Sequence, residues 1–212
     1  MIRILKQFSI RILRSLFKKK ENIKLGFYGP PNSGKTSLAN RICKDWTGHE
    51  LGIVSKIPHE TRNVQFKEKI DINYKGKNLV LKVIDTPGIA TKIDYEEFLK
   101  YGLKKSDAKK RAKEATQGII DSIKWLDDMD AVVVVLDSAE NPYSQVNITI
   151  LGNLVARKIP VLIVANKIDL KKANIKNIES TFPEYDVVGI SAKDGINMEE
   201  FYESLFKLSK RV

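Results

Sequence analysis

The stretch GPPNSGKTSLAN, residues Gly29–Asn40, constrains this chain more than any other. Gly29, Gly34, Lys35 and Thr36 satisfy the spacing G-x-x-x-x-G-K-[ST]. The residues before it, IKLGFYG, are a short apolar run ending at glycine, as in a buried strand, and KTSLANRICKDW has helical spacing. Strand, glycine loop and helix in that order make a cradle for phosphate. The glycines let backbone N–H groups approach closely, and the helix N-terminus adds its positive end. Lys35 is expected to reach the β- and γ-phosphates and the Thr36 hydroxyl to bind Mg²⁺, with Asn32, Ser33 and Ser37 in the same phosphate-contacting set. A Gly/Pro turn that matches by chance is the bland alternative, and the flanking elements argue against it.

A phosphate loop alone does not separate a motor, a kinase, a transporter subunit and a switch. Three later segments do. DTPG, Asp85–Gly88, closes a strand about 50 residues on; an acid there can hold Mg²⁺ through water, and the Gly88 N–H can contact a γ-phosphate. NKID, Asn166–Asp169, follows the apolar run VLIVA. Asp169 can accept two hydrogen bonds from guanine N1–H and the exocyclic amine, whereas adenine would leave that carboxylate opposed by an acceptor. Asn166 can bond the base and brace the pocket, and the Lys167 stem can cover the ring face. SAK, Ser191–Lys193, follows the last strand, where the Ala192 N–H can bind guanine O6. Each short segment is common in ordinary loops; their weight comes from position.

Apolar runs and amphipathic stretches alternate along the chain. VQFKEKIDI alternates as a half-exposed strand, NYKGKN reads as a turn and LVLKVID as the returning strand. AVVVVLD and PVLIVAN are buried strands, and DVVGIS is the last. NPYSQVNITILGNLVAR reads as a helix with Pro142 near its first turn, KKANIKNIEST as helical, and NMEEFYESLFKLSK as a closing amphipathic helix. Residues 89–130 form a long helical connection, in which Asp94 and Glu97 resemble a capping box and Gly102 a stop. Ser106 or Asp107 is expected to cap a second, longer helix with Ala108, Ala112, Ala115, Ile119, Ile123 and Leu126 on one stripe. The fold expected is α/β: a six-stranded, mainly parallel sheet with helices on both faces.

The net charge of +11 is unevenly placed. Residues 1–20 hold seven basic residues and no acid, while the other 192 residues carry only +4. On a helical wheel Met1, Leu5, Phe8, Ile12, Leu13 and Leu16 share one face and Arg3, Arg11, Arg14 and Lys18 the other. The division expected is therefore a basic amphipathic arm and hinge over 1–22 and one nucleotide-binding domain over 23–212. That arm can lie on an anionic membrane, dock on RNA or a partner protein, or pack on its own domain. Residues 100–113 carry seven basic groups and one acid, either a solvated helix face or a second contact surface. One cysteine, Cys43, fits a reducing compartment, and with two histidines it leaves no convincing zinc site. No apolar run of about 20 residues and no signal peptide is legible, so the location expected is cytoplasmic or peripheral to a membrane.

In this order, these residues resemble a Ras-like, translation-factor-related GTPase of the P-loop NTPase class over residues 24–210. Within that class the chain is similar to the Era-like and Era/EngA-related group. PNSGKTSLANRI stands beside that group's P-N-x-G-K-S-x-L-x-N, DTPG replaces D-T-A-G, and PHETR matches P-x-x-T-R. The resemblance implies GTP and GDP as ligands, Mg²⁺ as cofactor, and slow hydrolysis of GTP that turns off a molecular switch. It implies that Thr61 closes over Mg²⁺ when GTP is bound, completing a catalytic set with Lys35, Gly88 and Asn32. Ile89 stands where Ras-like proteins carry the glutamine that orients water. Asn32 resembles the loop asparagine that helps bind K⁺ in cation-dependent relatives; it either does so here or only shapes the loop. Era itself adds a C-terminal RNA-binding KH domain, and no G-x-x-G clamp segment follows the last helix expected here. Two functions remain open: a regulatory GTPase acting on an effector or at a membrane, and a ribosome-assembly factor that binds rRNA through basic surfaces.

Overall fold

In the computed structural model, residues 22–48, 65–75, 77–90 and 93–212 are described. The arm over 1–20 and the segment with Thr61 lie outside them. Six strands form one sheet in the order β2-β3-β1-β4-β5-β6: β1 Ile23–Tyr28, β2 Gln65–Tyr74, β3 Lys77–Asp85, β4 Ala131–Asp137, β5 Val161–Asn166 and β6 Asp186–Ile190. Only β2, at the edge, runs antiparallel to its neighbour. The β4 residues AVVVVL are buried throughout, as a strand covered on both faces must be. The turn between β2 and β3 is tighter than NYKGKN suggests: Tyr74 already pairs with Lys77, and Lys75 adopts φ +49.

Helices α1 (Lys35–Thr47) and α6 (Met198–Leu208) cover one face, where Leu38, Ile42, Phe201 and Leu205 meet Leu25, Phe27, Val133 and Val164. On the other face, Leu126 after α3 (Lys105–Lys124), Leu154 of α4 (Gln145–Ala156) and Ile178 of α5 (Ile175–Thr181) meet Val132, Val134 and Ile163. A short helix α2, Tyr95–Leu99, precedes α3. Parallel strands with helices on both faces put the loops after β1, β3, β5 and β6 at one edge, the carboxyl ends where ligands bind in such sheets.

Several helix ends differ from expectation. Lys104, not Ser106 or Asp107, is the N-cap of α3, and its side chain makes no capping bond. The Leu103–Lys104 linker after Gly102 starts the helix early, leaving Asp107 in the first turn, where its charge suits the dipole. Asp94 caps α2 by accepting from Glu96 N at 3.0 Å, while Glu97 N donates to the Asp94 carbonyl. Helix α4 starts at Gln145 with Ser144 as its cap, so Pro142 lies outside the first turn; its carbonyl accepts from Asn147 Nδ2 at 2.8 Å. Along α3 the deeply buried positions are small ones, Ala108, Ala115, Gly118 and Ser122, while Ile119 and Ile123 are only partly buried. Tyr28 OH crosses the interface and donates to the Ser122 carbonyl at 2.9 Å.

Candidate functional site

The glycine loop joins β1 to α1. Asn32 takes φ +59, in the left-handed region that asparagine tolerates better than most side chains, and it is exposed. Gly34 is the N-cap of α1 at φ +97 and supplies no side-chain cap, so first-turn N–H groups of the helix face the loop. A Cβ on Gly34 would run into Asn166 Nδ2. Lys35 is buried and folds back over the loop, donating to the carbonyls of Pro30 at 2.7 Å and Gly29 at 3.2 Å. Burial pushes its ammonium down to about 8, while the nearby Asp85 carboxylate opposes that shift. Ser33 Oγ is buried and has no hydrogen-bond partner among the described residues.

The end of β3 meets this loop. Phe27 pairs with Asp85 across β1 and β3, which brings the acid beside the start of α1. Thr36 Oγ1 donates to Asp85 Oδ2 at 2.8 Å. Two hard oxygen donors at that spacing, one hydroxyl and one carboxylate, fit Mg²⁺, which takes few protein ligands and keeps waters. Gly88 lies against the loop: a Cβ there would sit 2.8 Å from Pro31 Cα and 3.3 Å from Lys35 Nζ. The glycines at 34 and 88 thus leave a cradle that side chains would fill. Ile89 is buried in the second core cluster, and its N–H donates to the Gly29 carbonyl at 3.1 Å. Its side chain is therefore packing, turned into the core. Thr86 is buried as well, its hydroxyl donating to the Phe27 carbonyl at 2.6 Å.

The loops after β5 and β6 form the other end. Asn166 is buried and works in two directions: Nδ2 donates to the Ser33 carbonyl at 2.9 Å, and Oδ1 accepts from Ala192 N at 3.0 Å. The Ala192 N–H, expected to point at guanine O6, is thus directed at Asn166. Ser191 is buried, and its hydroxyl accepts from Asp194 N at 3.2 Å. Asp169 and Lys193 are exposed on these loops. Lys167 takes φ +67, and its Nζ pairs with Asp137 Oδ2 at 2.5 Å rather than reaching into solvent. Sequence reading did not single out Asp137. Its signal was an acid ending a buried strand that pairs, Asp137 to Asn166, with the strand carrying NKID.

Residues 24–167 match the family model described as 50S ribosome-binding GTPase. The chain is 29% identical over 184 residues to GTPase Era of Borrelia garinii subsp. bavariensis, covering 84% of this chain and 54% of that protein. It is 34% identical over 161 residues to GTPase Der of Aquifex aeolicus, covering 76% of this chain and 31% of the relative. Among solved structures, Era in complex with MgGDPNP and nucleotides 1506–1542 of 16S ribosomal RNA superposes with a TM-score of 0.66 at 25% identity, over 89% of this chain and 57% of that one. The chain spans about half the length of the Era relatives it matches. With its phosphate loop, Thr36–Asp85 pair and NKID loop at one sheet edge, the chain belongs to the 50S ribosome-binding GTPase family, as an Era-like member.

Proposed function

We propose that this chain binds GTP with Mg²⁺ and hydrolyses it to GDP and phosphate, acting as a nucleotide-dependent switch. The observation that carries this reading is Asn166, whose one side chain ties the phosphate loop at Ser33 to the base-side loop at Ala192. A pocket braced that way spans from triphosphate to base. Asp169 then accepts from guanine N1–H and the exocyclic amine, and the Lys167 stem lies over the ring. Lys193 and Ser191 complete the base-side loop. The loop N–H groups around Ser33 and Gly34, together with Lys35, hold the phosphates, and Ser37 lies one residue further along α1.

Thr36, and Asp85 through water, would hold Mg²⁺, with Thr61 as the resemblance implies, and the ion would supply positive charge at the phosphates. Lys35 shares that charge, and the Gly88 N–H faces the γ-phosphate. Water attacks the γ-phosphorus, the bond to the β–γ bridging oxygen breaks, and the water's proton leaves with the phosphate. Ile89 is packed in the core and orients no water, which supports slow intrinsic turnover. K⁺ beside Asn32 would add positive charge at the phosphates. The test is phosphate release from GTP and from ATP in Mg²⁺, for the wild type and Lys35→Ala. GTP-selective release abolished by the substitution is expected; release from ATP at an equal rate overturns the reading.

A second reading, an rRNA-binding role in ribosome assembly, is favoured by one surface. Lys100, Lys104, Lys105, Lys109, Lys110 and Lys113 are all exposed, and none makes an ion pair among the described residues. Tyr101 is exposed beside them. Such a stripe fits a phosphodiester backbone. RNA affinity that falls steeply with salt, and a slope reduced when Lys105, Lys109 and Lys113 become alanine, is expected. A salt-independent affinity overturns it. The basic segment 1–20 offers an anionic membrane as an alternative partner; flotation with vesicles that is lost on its removal would support that reading.

A further inference from the structure

We infer that Asp137 is a positioning residue for the base pocket, holding Lys167 so that its stem, not its ammonium, faces the ring. The inference rests on the guanine-nucleotide reading of the site. Lys167 stands in a left-handed backbone conformation, φ +67, which turns its side chain away from the direction an extended residue would give it. A lysine has about four rotatable bonds and, left alone, samples many rotamers. Here the ammonium is anchored by Asp137 Oδ2 at 2.5 Å.

The anchor is itself held. Asp137 Oδ1 accepts from Ala139 N at 3.0 Å, which fixes the carboxylate at the end of β4. The next residue fastens the base-side loop on both flanks: Ser138 N donates to the Asn166 carbonyl at 2.9 Å, and the Ser138 carbonyl accepts from Asn174 N at 2.8 Å. Backbone and side chain of one dipeptide therefore grip the NKID loop before, at and after Lys167. The Asp137 side chain is mostly buried and that of Lys167 one-third exposed. As an ion pair alone, this would contribute little to stability. Its consequence is geometric: with both ends of the lysine fixed, the methylene stem is a preformed wall, and ordering it costs a bound nucleotide less.

The stem contacts any purine face, whereas Asp169 reads the amine that distinguishes guanine. The two should separate experimentally. Asp137→Asn keeps an oxygen for Ala139 N and removes the charge that holds Lys167. GDP and IDP affinities are measured by calorimetry for the wild type, Asp137→Asn, Lys167→Met and the double variant, with thermal melting of each without nucleotide. Expected for Asp137→Asn is a loss of about tenfold for GDP and IDP alike, their ratio unchanged, with melting shifted by no more than about 2 °C. In the Lys167→Met background the same substitution should add nothing, since no ammonium remains to hold. An undiminished GDP affinity in Asp137→Asn, or an additive loss in the double variant, overturns the inference. A wild type that binds neither GDP nor IDP overturns the nucleotide reading itself, and the inference with it.

Discussion

The Tyr28 hydroxyl donates to the Ser122 carbonyl at 2.9 Å across 94 positions of sequence, joining the strand that leads into the phosphate loop to the helix that follows the DTPG segment. Both groups are buried, and Ser122 Oγ turns inward to the Gly118 carbonyl at 2.7 Å. The strand before the glycine loop and the helix beyond the DTPG segment thereby share a buried polar contact. Burial raises the Tyr28 phenol above its ordinary value of 10, with the Arg157 charge opposing and Asp127 reinforcing the shift.

Tyr28→Phe is expected to destabilise the protein by about 1–2 kcal/mol, the cost of one buried hydrogen bond. Chemical denaturation should show a lower midpoint with an unchanged slope. Above pH 10 the unfolded phenol releases its proton while the folded one keeps it, so the folded state binds more protons and stability falls as pH rises. The phenylalanine variant should lose less stability across that window than the wild type. Equal pH profiles for the two would show that the phenol is not the group concerned.

Thr36 and Asp85 should act as one unit. Thr36→Ala and Asp85→Asn each remove part of the proposed Mg²⁺ site, so adding Mg²⁺ should no longer tighten GTP binding. Titrating GTP analogue with and without EDTA reads this directly. The double variant should be little worse than either single one, because the hydroxyl and the carboxylate are already in contact.

Asp169→Asn exchanges a pure acceptor for a group that also donates. Two charge-assisted hydrogen bonds to guanine are lost, so GDP affinity should fall about 10²-fold or more. Xanthine presents an oxygen where guanine has its amine, and XDP should then bind better than GDP. Competition between the two diphosphates checks it; an unchanged preference for GDP would remove Asp169 from the base pocket.

Asn32 separates two accounts of the loop. Its φ of +59 shows that it shapes the backbone, and asparagine suits that conformation. If it also helps hold K⁺, GTP turnover in K⁺ should exceed that in Na⁺, and Asn32→Gly should abolish the difference while preserving nucleotide affinity. Equal rates in the two salts would leave Asn32 with the shaping role alone.

How much of this was legible beforehand follows from the range of the interactions concerned. Motifs such as GPPNSGKT and NKID were readable because each is a short contiguous loop after an apolar strand, and local geometry sets what its backbone can do. The alternation of buried strands with amphipathic helices likewise determined a mainly parallel sheet covered on both faces. Side-chain destinations were not readable. Ser106 and Asp107 have the local character of caps, yet α3 starts at Lys105, directly after the short linker that follows Gly102. Ile89 looked like a departure from a catalytic pattern; only the folded core revealed that it is packing. Asn166 reaches both Ser33 and Ala192, and Lys167 ends on Asp137, through contacts that exist only once β1, β4, β5 and β6 lie side by side. The sequence by itself determined the alternation of strands and helices and marked the loops whose residues suit phosphate and base. Tertiary structure decided which side chains hold those loops in place, because that depends on strand neighbours that no local spacing specifies.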